Sequence, residues 1–262
     1  MVILATCCAA AIETSSSTVP YRRLARAKSK IDEIDNVDRT TSGASPSPPE
    51  VPNPPLSRSQ SRTFECLDAD LEDTVVVKVA MFGDSETGKT SFMVSYVDSR
   101  EKIEDYVQTI GMISMEKSLK IQNAKIVFSI WELGGHRRSL SMLPIVCKDA
   151  AVMLFLFDLT RRSTLHSVKE WFFQARLRNK TAIPILIGTK YDQFVNFPDD
   201  IQVTITRQAM HYAQTMRASL FFSSITHNIN VRKIFKVIVA KLFDLPCNIS
   251  KNHNFGEPIV DY

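Results

Sequence analysis

The chain has 262 residues, 44% of them apolar, and a net charge of +4. That length suits one globular domain plus an appendage, and the small, dispersed positive excess leaves no footprint for nucleic-acid binding. No apolar run reaches the roughly 18 residues of a membrane span, and the five cysteines (Cys7, Cys8, Cys66, Cys147, Cys247) lack metal-site spacing, which suits a reducing, cytoplasmic setting.

Residues 1–70 read as a disordered Ser/Pro-rich tail. Thr14-Ser15-Ser16-Ser17-Thr18 and the run from Thr40 to Pro49 cannot bury enough apolar surface to offset ordering entropy. Met1 to Ile12 lacks the positive leader of a signal peptide, while the acid-poor first thirty residues have the composition of a transit peptide. Arg22, Arg23, Arg26, Lys28 and Lys30 form a basic cluster. It reads as a solvated tail. The competing reading is contact with anionic lipid, with Cys7-Cys8 as palmitate acceptors.

Residues 71–246 alternate strand and helix patterns. Val75 to Phe82 is an apolar strand, and Ser91 to Val97 a helix. Ile113–Leu119 and Ile126–Trp131 form a hairpin around Gln122-Asn123. Ala150–Phe157 is a continuous apolar strand ending at Asp158. Ser163–Arg178 is helical, Ile183–Gly188 a strand, Ile205–Met216 helical, Ser219–Phe222 a short strand and Val231–Phe243 an amphipathic helix. Apolar strands alternating with helices predict an α/β domain, with a mostly parallel, six-stranded sheet covered on both faces. Residues 247–262 read as a C-terminal tail. They carry no C-terminal cysteine box, so prenyl anchoring is not expected there.

Between the first strand and the first helix lies Gly83-Asp84-Ser85-Glu86-Thr87-Gly88-Lys89-Thr90, followed by Ser91. It fits G-x-x-x-x-G-K-[ST], the phosphate-binding P-loop. Gly83 and Gly88 let the backbone wrap a pyrophosphate with its N–H groups pointing inward. The helix that begins near Lys89 adds its positive end. Lys89 supplies a cation for the β- and γ-phosphates, and Thr90 a hydroxyl for Mg²⁺. Thr189-Lys190-Tyr191-Asp192 follows a later strand, at the edge where such sheets hold ligands. The Asp192 carboxylate can accept side-by-side hydrogen bonds from guanine N1–H and the exocyclic amine, a pair that adenine lacks. Lys190 can lay its methylene stem against the base.

These residues resemble the Ras-like small GTPases over about Val75 to Leu245. Within that superfamily the chain is similar to the septum-promoting GTPase family of cytokinesis and mitotic-exit signalling. The likeness rests on Trp131-Glu132-Leu133-Gly134-Gly135, Met142-Leu143-Pro144, Phe157-Asp158-Leu159-Thr160-Arg161, the run Asn179 to Asp192, and Asn230 to Phe235. It implies a Ras-like P-loop fold and a monomeric GTP/GDP switch that uses Mg²⁺. It places Thr109 as the first-switch metal ligand and Glu132 as the acid acting on the metal through water. Gly135 is the glycine that senses the γ-phosphate. Ser224, Ile225 and Thr226 form the third base-binding segment. It also implies a GTPase-activating protein, a downstream protein kinase or scaffold, and recruitment to division structures.

Four positions depart from that pattern. Glu132 replaces the usual Asp, moving the carboxylate by one methylene beside a metal that demands near-octahedral geometry. His136 stands where Gln usually orients water, making it the candidate catalytic residue with Lys89 and Gly135. Glu86 adds a negative side chain to the phosphate loop. The aromatic that covers guanine early in the first switch is replaced by Lys102 or Ile103. Two readings follow: a switch that hydrolyses GTP slowly, and a nucleotide-binding scaffold with little or no hydrolysis.

Overall fold

Strand β4 (Val152–Asp158) is buried along its whole length, the signature of an inner parallel strand covered on both faces. The structure is a computed structural model that describes residues 74–98, 109–121 and 124–262. The expected N-terminal tail with its basic cluster and Cys7-Cys8, the Lys102-Ile103 pair and the Gln122-Asn123 turn lie outside the described residues.

The sheet continues around β4. In chain order its other strands are β1 (Thr74–Phe82), β2 (Met112–Ile121), β3 (Ala124–Leu133), β5 (Ile183–Thr189), β6 (Ser219–Phe222) and β7 (Val260–Asp261). Their spatial order is β2-β3-β1-β4-β5-β6-β7. The five strands from β3 to β6 run parallel, and β2 and β7 join the two edges antiparallel. The mostly parallel α/β architecture is as the sequence predicts, but the strand count of six is corrected to seven. The added strand comes from the segment assigned to a C-terminal tail. The strand is two residues long, too short for a periodic signal, and Val260 and the preceding Ile259 are both buried against the sheet edge.

The helices are α1 (Lys89–Asp98), α2 (Leu143–Cys147), α3 (Arg162–Arg176), α4 (Tyr191–Phe194), α5 (Asp199–Met216) and α6 (Val231–Phe243); a 3₁₀ turn, Arg137–Met142, precedes α2. One sheet face packs Val79 and Met81 against Phe92, Met93 and Tyr96 of α1 and Phe235 and Ile238 of α6. The opposite face packs Phe82, Phe155 and Phe157 against α3 and α5. Alternate side chains of β1 thus feed two cores, as the period of a strand requires. Helix α5 begins at Asp199, earlier than the Ile205 expected from its apolar stripe. Pro198 precedes it, and Asp199 and Asp200 occupy a first turn that favours negative charge.

Phe235 concentrates the α1–α6 packing. Its ring lies 3.4 Å from that of Tyr96, centroid to centroid, and 5.5 Å from that of Phe128. Phe235→Ala is expected to cost about 3–5 kcal/mol, read from urea unfolding midpoints. A loss below ~1 kcal/mol would show that this face is not a close-packed core.

Candidate functional site

The candidate residues gather at the carboxyl ends of β1, β4, β5 and β6, the edge at which open α/β sheets hold ligands. Leaving β1, Gly83 adopts φ 149°, and a Cβ there would stand 2.3 Å from the Leu156 carbonyl oxygen. Only glycine lets the loop pass so close to β4. The loop then closes on itself: the Thr87 hydroxyl and the Lys89 ammonium both donate to the Asp84 carbonyl, at 2.9 and 2.8 Å. Burial lowers the Lys89 pKa, although Glu132 and Asp84 pull it the other way.

Ser85, Glu86, Gly88, Lys89, Thr90, Ser91, Thr109, Glu132 and Gly135 line one open cleft. The Thr90 hydroxyl donates to Glu132 Oε1 at 2.9 Å and lies 3.2 Å from the Thr109 hydroxyl. The longer carboxylate of Glu132 therefore still meets the P-loop threonine. Its second oxygen, Oε2, is buried without a hydrogen-bond partner. Burial pushes its pKa up, opposed chiefly by Lys89. An orphaned buried carboxylate oxygen beside two hydroxyls is an all-oxygen donor set, the kind a hard cation such as Mg²⁺ takes. Among the described residues no cluster of three or more His, Cys, Asp or Glu could hold a metal alone.

Gly135 reaches the cleft through its backbone. A Cβ on it would lie 2.2 Å from the Ser85 nitrogen, so the approach needs glycine. His136 is not among the lining residues. Its ring is exposed, and Nδ1 accepts the Arg138 N–H at 3.2 Å, capping the 3₁₀ turn. Glu86 adopts φ 63° and turns its side chain outward, 64% exposed, with Arg161 at 3.7 Å.

The second end of the site is built around Thr189, Lys190 and Asp192. The buried Thr189 hydroxyl donates to the Thr87 and Phe157 carbonyls, at 2.8 and 3.0 Å. Lys190 occupies the left-handed region at φ 59°. Asp192 Oδ1 accepts the Ser224 hydroxyl at 2.6 Å, and Ser224 lies 3.0 Å from the Thr226 hydroxyl. A Cβ built on Gly88 would meet the Ile225 side chain at 3.6 Å and that of Thr189 at 4.0 Å. The two predicted halves are therefore adjacent.

Sequence reasoning assigned no role to Asp158 and Arg161, which join those halves, or to Trp171, which ties α3 to the P-loop. The Asp158 carboxylate receives Lys190 Nζ at 2.7 Å, Arg161 Nε at 2.8 Å and the Thr160 hydroxyl and amide at 2.7 and 2.9 Å. Burial alone would raise the Asp158 pKa, but these donors hold it below the ordinary range. Arg161 also donates to the Ser85 carbonyl at 2.8 Å. Trp171 Nε1 donates to Asp84 Oδ1 at 2.8 Å from α3. An acid closing an apolar strand was a usable signal for Asp158. Trp171 carried none beyond its helix face.

Residues 78–244 match the Ras family. The chain belongs to that family. As a small GTPase it binds guanine nucleotide and hydrolyses GTP. The chain is 55% identical over 191 residues to Septum-promoting GTP-binding protein 1 of Schizosaccharomyces pombe, covering 73% of this chain and 96% of that protein. It is 30% identical over 122 residues to Ras-related protein Rab-26 of Drosophila melanogaster, covering 46% and 31% of the two chains. With human Ras-related protein Rab-3A it shares 24% over 206 residues, covering 78% and 89%. Among the described residues no helix of this small GTPase is long and apolar enough to cross a membrane.

Because the Asp158 pKa is held low, its contribution to stability is present above the ordinary carboxylate range and is lost as pH falls toward its folded value. Asp158→Asn should therefore cost this GTPase about 1.5–3 kcal/mol at neutral pH, the scale of hydrogen bonds to a charged group, and the gap should shrink below roughly pH 4. Denaturant midpoints across pH at fixed nucleotide concentration measure this. A gap independent of pH would mean that the carboxylate charge is not what binds the network.

Proposed function

We propose that this GTPase is a GTP/GDP switch in septation and cell-division signalling, with slow unaided hydrolysis. The observation that carries the reading is the meeting of the P-loop cleft with the Asp192–Ser224 end through Thr189. The cleft supplies Lys89, Gly88 and N–H groups at the start of α1 for phosphates. Asp192 supplies the acceptor pair for guanine, and the backbone of Ile225 a donor for its O6. The relative's printed name, septum-promoting, supports the biological setting.

Thr90 and Thr109 would hold Mg²⁺ directly, and Glu132 through water. Bound there, the ion would neutralise charge on the β- and γ-phosphoryl oxygens. Lys89 meets the same oxygens from the P-loop. Gly135 offers its N–H where a γ-phosphate would sit, so gain or loss of that phosphate orders or releases the segments at Thr109 and at Glu132 to Arg138. His136 is the residue to orient the attacking water. Its Nδ1 caps the 3₁₀ turn, so Nε2 is the nitrogen left for water, and the ring, which is outside the cleft lining, has to swing toward it. That step is the natural task of a GTPase-activating partner, and a protein kinase or scaffold is the expected reader of the GTP form.

Base choice tests the reading first. Asp192→Asn should weaken GTP and GDP binding by about a hundredfold, the scale of losing one hydrogen bond to a charged group and setting an N–H against a donor of the base. It should also admit xanthine nucleotides, because the amide can donate to the added oxygen. Equal GTP affinity in both proteins, by fluorescence titration, overturns the assignment.

Turnover tests the catalytic assignment. His136→Gln should raise single-turnover hydrolysis above the basal scale of roughly 10⁻⁴ to 10⁻³ s⁻¹. An unchanged or slower rate would make His136 an adapted residue awaiting a partner rather than a weak substitute.

A further inference from the structure

The residues after α6 return to the sheet and close on the guanine end. Asn252 and Val260 exchange a pair of backbone hydrogen bonds at 2.9 Å, making a hairpin. Its outgoing strand pairs Val260 with Phe221 and Asp261 with Leu220. The Phe222 N–H donates to the Ile259 carbonyl at 3.0 Å. Ile259 is fully buried in the core that contains Tyr191, Phe194 and Phe222, and Val260 in the core on the opposite sheet face. The Tyr262 hydroxyl ties the end back to the Ile249 carbonyl at 2.7 Å.

The second grip falls inside the base motif itself. The Tyr191 hydroxyl donates to the Gly256 carbonyl at 2.8 Å. Tyr191 lies between Lys190 and Asp192, and its N–H donates to the Ser223 carbonyl at 3.1 Å. Local forces do not fix this turn. Helix α4 has only four residues, and it starts from a left-handed lysine. Strand β6, which leads into Ser224, is also only four residues long and would otherwise present a bare edge. The hairpin meets both weak elements at once.

We propose that residues 252–262 form a clamp that presets the guanine-contacting loops, making Tyr191 and Ile259 positioning residues for base specificity. The clamp rests on the reading of Asp192 as the guanine acceptor. It acts at a distance from the phosphates, so its loss should loosen the base while leaving the P-loop contacts in place.

The test uses the full chain and compares GDP with IDP, which lacks the exocyclic amine that Asp192 would accept from. In Tyr191→Phe the ring packing is kept and only the hydroxyl is lost. GDP should dissociate about fivefold faster from it, the scale of one hydrogen bond, and the preference for GDP over IDP should shrink. Ile259→Ala, which unseats the hairpin from the core, should do more in the same direction. If either variant only lowers the melting temperature and keeps the wild-type GDP/IDP ratio and off-rate, the hairpin is structural and the clamp is wrong. If wild type itself shows no preference for GDP over IDP, the guanine assignment of Asp192 fails instead. If Ile259→Ala does not fold, Tyr191→Phe alone decides.

Discussion

Four donors from three residues converge on one buried carboxylate at the end of β4. Asp158 holds Lys190 from the base end and Arg161 from the phosphate end, and Thr160 fixes its remaining lone pairs. Removing one partner from such a centre leaves an uncompensated buried charge, which costs more than the pair contributes when intact. The two halves of the nucleotide site are therefore held in one arrangement. Thr189 repeats the link beneath it by donating to both Thr87 and Phe157. Trp171 adds a third tie, from α3 to Asp84 in the P-loop. The site is rigid because separate strands and a helix are fastened to the same short loop.

The side that the proposed switch would move is built differently. Gly134 and Gly135 approach Thr109 and Ser85 by backbone, without side chains that interlock. The Thr90–Thr109 contact is 3.2 Å, at the long end for two hydroxyls. Glu132 keeps one oxygen without a partner, and its raised pKa reports the cost of that burial. A group in that state gains most from an added ligand, since an unmet buried acceptor costs more than a typical hydrogen bond returns. The P-loop and its links to Asp158, Thr189 and Trp171 are thus fastened several times over, while the Thr109–Glu132 side is under-satisfied. That contrast is what a ligand-ordered switch requires.

Much of this was legible in the sequence because it is local. The P-loop is eight consecutive residues with fixed spacing, and β4 and β5 are uninterrupted apolar runs. Thr189 to Asp192 sits directly after a strand. Long-range pairs were not legible. Arg161 meets Ser85 across 76 residues, and Trp171 meets Asp84 across 87, with no periodicity to betray either contact. The C-terminal strand was missed because two residues carry no pattern. Its place depends on an unpaired edge that exists only once β6 has formed. The start of α5 was missed because its first turn is polar, although the Pro198-Asp199-Asp200 start signal was there to be read.

Glu86 shows how magnitudes separate two explanations of one tolerated charge. A carboxylate in a phosphate loop is repulsive unless it is neutralised or turned away. The ion pair with Arg161 is long, 3.7 Å, and both side chains are substantially exposed, at 38% and 64%. Pairs of that kind contribute about 0–1 kcal/mol and are screened by salt. Exposure does more: the Glu86 side chain is 64% exposed, turned away from the buried part of the loop. The direction of the side chain, not the ion pair, is therefore what lets the acid stand in this loop. Arg161 owes its importance to its other two contacts, the Ser85 carbonyl and Asp158, both at 2.8 Å. Hydrogen bonds to charged groups contribute about 1.5–3 kcal/mol, more than the exposed pair can. Its hold on the phosphate loop is accordingly independent of Glu86, and a neutral residue in that place would leave the loop fastened from the same point.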